Sequence, residues 1–294
     1  MEKKQIFKTL GQYKQVLEDK GYQVIYIGLY GSQNYNLDDE FSDIDCKAII
    51  MPSLHDIIFR NKISTTIECE NGAIDVKDLI TFYEVIRKGN FSYIESIDTE
   101  YSIGDKYIKE LFKQIRPNLK SFLGAMHEKR KALTHEYPSK HEEFEKWGFD
   151  PKQLHHIYRL HTILIYINDT GKFISFFKYD DDIRKEFLID VKRNKKNYNQ
   201  VKAEFYADHE IEWAKELIPQ DYEYEPIDLS NEVSAYLEKH LKTDLLKDSD
   251  CLSAREYRTF DGGVPKKDLE RFPILEQYKG KDISYIVYES IEIL

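Results

Sequence analysis

The chain has 294 residues, 41% hydrophobic and 33% charged, with a net charge of −10. This describes an ordinary globular protein, long enough for two domains and able to bury a sizeable core without disulfide or metal staples. The acidic balance argues against an extended non-specific nucleic-acid surface, because duplex binding leans on Lys and Arg against phosphate, but it leaves room for a local basic groove. No run of 18 apolar residues occurs, and Met1-Glu2-Lys3-Lys4 leads into an amphipathic stretch and not an apolar signal core, so no membrane span and a cytoplasmic location are expected.

In chain order, Ile6, Leu10, Tyr13 and Leu17 form a helical stripe. Val24 to Leu29 then reads as a buried strand that ends in Gly31-Ser32. Ten residues later Asp43-Ile44-Asp45 opens a second apolar strand, Cys46 to Met51, which stops at Pro52. Side chains two apart on a strand point the same way, so Asp43 and Asp45 should project together, about 6 to 7 Å apart at their α-carbons. Two carboxylates that close repel unless a cation sits between them. Hard oxygen ligands with no His or Cys pair nearby favour Mg²⁺ or Mn²⁺ over zinc. Opposite them, the Gly31-Ser32 turn can bring its backbone close to a ligand, and exposed amides beside a serine hydroxyl suit phosphate oxygens. Asn36 to Glu40 reads as an acidic surface loop.

Further on, Leu54 to Phe59 reads as a short helix. Ser64 to Glu70 and Ala73 to Lys77 read as a hairpin turned at Asn71-Gly72, and Leu79 to Lys88 as a helix capped by Asp78 and closed by Gly89-Asn90. On the returning strand Asp75 faces one way with Ala73 and Lys77, and Ile74 and Val76 the other. From residue 92 the period becomes helical: 106–115, 119–137, 152–168 and 181–216, followed by a strand-like run at 283–288. The expected fold class is α+β, with an N-terminal mixed sheet and helices on one side in residues 1–100 and a mostly helical domain in 101–294. The three cysteines, Cys46, Cys69 and Cys251, are widely spaced and read as reduced thiols, not disulfides or zinc ligands.

Gly31-Ser32 followed by Ser42-Asp43-Ile44-Asp45 at this spacing resembles the signature of the DNA polymerase β superfamily of nucleotidyltransferases. Residues 31–49 more narrowly resemble its branch of predicted bacterial and phage nucleotidyltransferases associated with RNA repair. A second segment, 148–161, resembles the same branch in its Lys, His and Arg-Leu pattern: Lys152, His156 and Arg159-Leu160. The resemblance implies a nucleotidyltransferase domain and a nucleoside triphosphate as co-substrate, its phosphates on Gly31 and Ser32. It also implies a third metal-binding carboxylate on a neighbouring strand, for which Asp75 is the candidate and Asp78 its competitor. Asp43, Asp45 and Asp75 are thus the expected catalytic and metal-binding set, holding two ions that activate the acceptor oxygen and the triphosphate.

Lys152, His156 and Arg159 recur at helical steps and can share a face, which would bind the triphosphate across a cleft or, alternatively, pair with carboxylates inside the protein. The histidines 155, 156 and 161 lack chelating spacing and read as core or surface residues. Lys129-Arg130-Lys131 and residues 192–196 offer contacts to an RNA or DNA backbone or solvated helix faces. Residues 253–265 read as a loop over the cleft or a plain connector. An RNA 3′ end is the first acceptor this reading suggests; a protein hydroxyl, a small molecule, an antitoxin-like binding module and a metal-dependent nuclease are the rivals.

Overall fold

A computed structural model of the chain describes residues 3–39, 42–180 and 182–251. The strand expected at 283–288 and the segment 253–265 lie outside them. Helix α1 (Lys3–Asp19) leads into β1 (Val24–Tyr30), a 3-10 turn over Ser32–Tyr35, and β2 (Asp45–Ile50). Helix α2 (Leu54–Phe59), the hairpin β3 (Ser64–Cys69) and β4 (Gly72–Asp78), α3 (Leu79–Ile86), α4 (Phe91–Asp98), β5 (Ser102–Gly104) and α5 (Lys106–Phe112) follow. The remainder is helical: α6 (Leu119–Leu133), α7 (His141–Trp147), α8 (Pro151–Thr170), α9 (Asp182–Lys192), α10 (Gln200–Glu216) and α11 (Ser230–Cys251).

The five strands form one mixed sheet in the order β3-β4-β2-β1-β5. Only β2 and β4 run parallel. Helices cover both faces, not one as the chain order suggested. Cys46, Ala48 and Ile50 pack with Ile74, Val76, Ile27 and Leu29 beneath the Ile6, Leu10, Tyr13, Leu17 stripe of α1. Tyr26, Ile49 and Met51 point the other way into a core shared with α3, α4 and α5. The physical reason is legible in β1 and β2, whose runs are nearly continuously apolar and so demand cover on both sides. Strand β5 lies past residue 100 yet pairs with β1, and Leu229, Val233, Tyr236 and Leu237 of the last helical region enter the same core as α3. A second core joins α6, α8 and α10 around Phe122, Met126, Leu160, Leu164 and Ile211.

Three local findings refine the expected elements. The stretch 181–216 is two helices because Asn194 and Asn197 adopt positive φ (49° and 53°), a conformation Asn tolerates better than most residues; Asn199 then caps α10. Asn90 caps α4 instead of merely ending α3. In the hairpin Cys69 already pairs with Gly72, so Glu70 and Asn71 make the turn. Gly72 (φ +145°) is needed for a close approach: a Cβ there would lie 2.4 Å from the Ile44 carbonyl oxygen. The hairpin tip is thereby pressed against the Asp43-Ile44-Asp45 segment, where the Ile44 N–H donates to the Asn71 carbonyl at 2.7 Å.

Candidate active site

The turn after β1 is built from beneath by one buried acid. Glu95 of α4 is fully buried. It accepts hydrogen bonds from the Gly31 N–H (2.8 Å), the Asn34 side-chain amide (3.0 Å) and the Tyr35 hydroxyl. The Gly31 amide, expected to face phosphate, is thus turned inward, and Ser32 is left as the turn's polar group on the cleft. Gly31 itself has φ 119° and ψ −156°, a region open essentially to glycine alone. A Cβ there would meet nothing within 4 Å, so the glycine serves conformation and not space. Gly31→Ala is expected to destabilise the fold by about 1 to 3 kcal/mol through backbone strain alone, measured by urea unfolding.

Asp45 opens β2, and Asp43 sits just before it, outside the strand. Both carboxylates reach the same cleft, a space of about 500 Å³ between the sheet's end and the helical part. The Asp43 carbonyl accepts from the Gln33 side chain at 2.7 Å, and Asp45 Oδ1 accepts from the Ala73 N–H at 3.0 Å. Burial pushes the Asp45 carboxyl up, against the Ala73 N–H, and the negative charge of Asp43 adds to the rise. Asp43 is exposed and Asp45 Oδ2 has no hydrogen-bond partner among the described residues, so these are the two carboxylates that could hold a hard divalent cation.

Asp75 differs from its expected place. It faces the same side of the sheet as Asp45, opposite Lys47 in the register, but it is not part of the cleft wall. Its oxygens are held by Lys47 Nζ (3.0 Å), Lys77 Nζ (3.3 Å) and the Tyr93 hydroxyl (2.7 Å). Lys47 is itself enclosed, 4.6 Å from the Tyr30 ring centroid and 4.2 Å from that of Tyr93. Asp78 is occupied by capping α3 and by the Ile63 N–H. Among the described residues no three His, Cys, Asp or Glu side chains converge as a metal-binding group.

The opposite wall comes from α8, which starts at Asp150-Pro151: the Asp150 side chain accepts the Lys152 N–H and Pro151 occupies the first turn. Lys152, His156 and Arg159 share the face that lines the cleft, and Lys129 of α6 joins them. Arg159 is 3% exposed. Its guanidinium stacks over the Tyr35 ring at 3.9 Å, and among the described residues its Nε and Nη1 have no hydrogen-bond partner. Burial lowers the Lys129 pKa, as do the charges of Arg159 and Lys152. Burial likewise pushes the His156 pKa well down, with Arg159 adding to the effect. The other two histidines are structural: His155 Nδ1 meets the Leu188 carbonyl, and His161 contacts Glu210.

The basic segments are largely spoken for. Arg130 pairs with Glu204 and Asp208, and Lys195 and Lys196 pair with Asp190. Lys192 and Arg193 close the cleft rim by holding Asp39. Burial alone would raise the Asp39 carboxyl, but Arg193, Lys192 and Ser42 bring it down to about 2. Because its folded pKa lies below its unfolded value, the stabilisation is complete above the usual carboxylate range and is lost as pH falls from about 4 to about 2. Acid unfolding of Asp39→Asn is expected to lack that component, seen as a shallower loss of stability across this window.

Two site residues escaped the sequence reading: Glu95 and Lys47. Glu95 carried a signal, an acid on the same helical face as Phe91 where water is excluded. Lys47 carried none, and Lys129, read as a nucleic-acid backbone contact or a solvated helix face, lines the cleft. Compared with known proteins, the chain matches no family model, and no curated protein matches it.

Proposed function

We propose that the chain is a metal-dependent nucleotidyltransferase that moves a nucleoside monophosphate from a nucleoside triphosphate to an acceptor hydroxyl and releases pyrophosphate. The observation that carries this reading is Arg159. A buried guanidinium with two unpaired donors, lining the same cleft as Lys129, Lys152 and the Asp43–Asp45 pair, calls for an anion. A triphosphate satisfies it, and a divalent ion accounts for the carboxylates.

In this reading Arg159, Lys129 and Lys152 grip phosphate oxygens and the Ser32 hydroxyl donates to them. Asp43 and Asp45 would hold Mg²⁺ or Mn²⁺, which supplies charge neutralisation to the triphosphate. Tyr35, between Glu95 and Arg159, fixes both the turn and the guanidinium, so binding and positioning rest on groups set before the nucleotide arrives. Replacing Arg159 by Lys keeps the charge and loses the fork; the expected result is about 10- to 100-fold weaker binding of a fluorescent triphosphate, with little change in melting temperature.

An RNA 3′ end is the acceptor we would test first, on the strength of the resemblance, with a protein hydroxyl or a small molecule as the other classes. The test incubates purified protein with each α-³²P-labelled NTP, Mg²⁺ or Mn²⁺ and total small RNA, beside the Asp43→Ala variant. Label passing to RNA only with intact Asp43 supports the proposal and names the acceptor class. One observation favours a second reading, a nucleotidyltransferase-fold binding module: Asp75 is tied up by two lysines. Triphosphate binding with no label transferred to any acceptor would select it.

A further inference from the structure

The cluster around Asp75 is closely paired, although the Asp75 side chain keeps 26% of its surface exposed. Lys47 and Lys77 are each 8% exposed, and Lys77 Nζ also donates to the Ser64 hydroxyl at 2.7 Å. Two ammonium groups stand against one carboxylate, and Asp75 Oδ2 takes both the Lys47 ammonium and the Tyr93 hydroxyl. The lysine has no easy exit, since Tyr30 and Tyr93 stack on its ammonium and a desolvated cation–π contact is among the stronger ones. A divalent cation arriving at Asp75 would find Oδ2 taken by Lys47 and Tyr93, Oδ1 facing the Lys77 ammonium at 3.3 Å, and a net positive charge beside it. The two-ion arrangement expected from the sequence therefore does not fit the groups present.

We infer, resting on the nucleotidyltransferase reading, that the site takes a single divalent ion, on Asp43 and Asp45, and that Asp75 is the internal counter-ion of Lys47 and Lys77 instead of a ligand to a second metal. Lys47 lies on the same face of β2 as Asp45, two residues along, and its ammonium stacks on Tyr30, which lines the cleft. Behind that wall it supplies permanently a positive charge that a second ion would have to bring from solution.

The experiment counts metal and nucleotide together. Full-length protein is dialysed against MnCl₂ and the α,β-methylene analogues of ATP, CTP, GTP and UTP in turn, and bound manganese and bound analogue are measured. One manganese per bound nucleotide is expected in the wild type and in Asp75→Asn alike, with the metal lost in Asp45→Asn. Two per nucleotide in the wild type overturns the inference, most directly if Asp75→Asn brings the ratio to one, and leaves the nucleotidyltransferase reading standing. Failure to bind any of the four analogues overturns that reading, and the inference with it. Should Asp75→Asn fail to fold with its lysines unpaired, the wild-type ratio alone decides between one ion and two.

Discussion

Asp45→Asn is expected to lower nucleotide transfer by about 10²- to 10³-fold, the usual cost of removing one charge that acts on the reacting phosphate. The same substitution should leave the fold intact or slightly firmer. An Asn oxygen can still accept the Ala73 N–H that Asp45 Oδ1 accepts at 3.0 Å. The folded state holds the Asp45 carboxyl above its ordinary pKa through burial and the neighbouring Asp43. A carboxylate raised in this way destabilises the folded state at neutral pH, because ionisation is easier in the unfolded chain. Removing the charge removes that cost, the trade between stability and activity seen at functional sites. Transfer of α-³²P label together with thermal melting measures both halves. Transfer within tenfold of wild type would refute the role given to Asp45.

Gly28→Ala is expected to destabilise the protein by about 3 kcal/mol or more, at the upper end of overpacking effects. A Cβ at Gly28 would lie 1.8 Å from the Ser96 carbonyl oxygen and 2.8 Å from its carbonyl carbon. Both atoms are backbone, so helix α4 can only retreat from the sheet. The Tyr26 hydroxyl, which donates to the same carbonyl at 2.8 Å, would be stretched with it. The damage should travel, because α4 carries both Glu95, which holds the Gly31 turn, and Tyr93, which holds Asp75. Gly11→Ala is the control: it lies in α1, and a Cβ there meets nothing within 4 Å, so it should stabilise by about 0.5 to 1 kcal/mol. Urea unfolding of the two variants separates close approach from any general effect of losing a glycine.

Apolar runs were enough to find β1 and β2, and the Asn71-Gly72 turn to find the β3–β4 hairpin, whereas the three-residue β5 carried too short a pattern to be read. Leu54–Phe59 emerges as the helix that the spacing predicts, and Asp78 caps α3 as expected. The face shared by Lys152, His156 and Arg159 follows from three- and four-residue steps and is the one that meets the cleft. Cys46 and Cys69 are free thiols; Cys251 lies where no side chain is described. What could not be read was which polar groups pair. The Gly31 amide goes to Glu95 and Asp75 goes to Lys47, Lys77 and Tyr93, the acid and the tyrosine of α4 lying many residues from the turn and the strand they serve. Those partners are chosen by how closely α4 docks on β1, which rests on Gly28.

The sequence by itself determined the local geometry: periodicity selects helix or strand, glycine permits the turn at residue 31, and the Asp43–Asp45 spacing brings two carboxylates to the head of β2. Only the tertiary structure decided the electrostatics, because a carboxylate's role depends on which charges surround it once water is gone. The same burial that leaves two Arg159 nitrogens without a hydrogen-bond partner among the described residues leaves Asp75 already supplied with its cations.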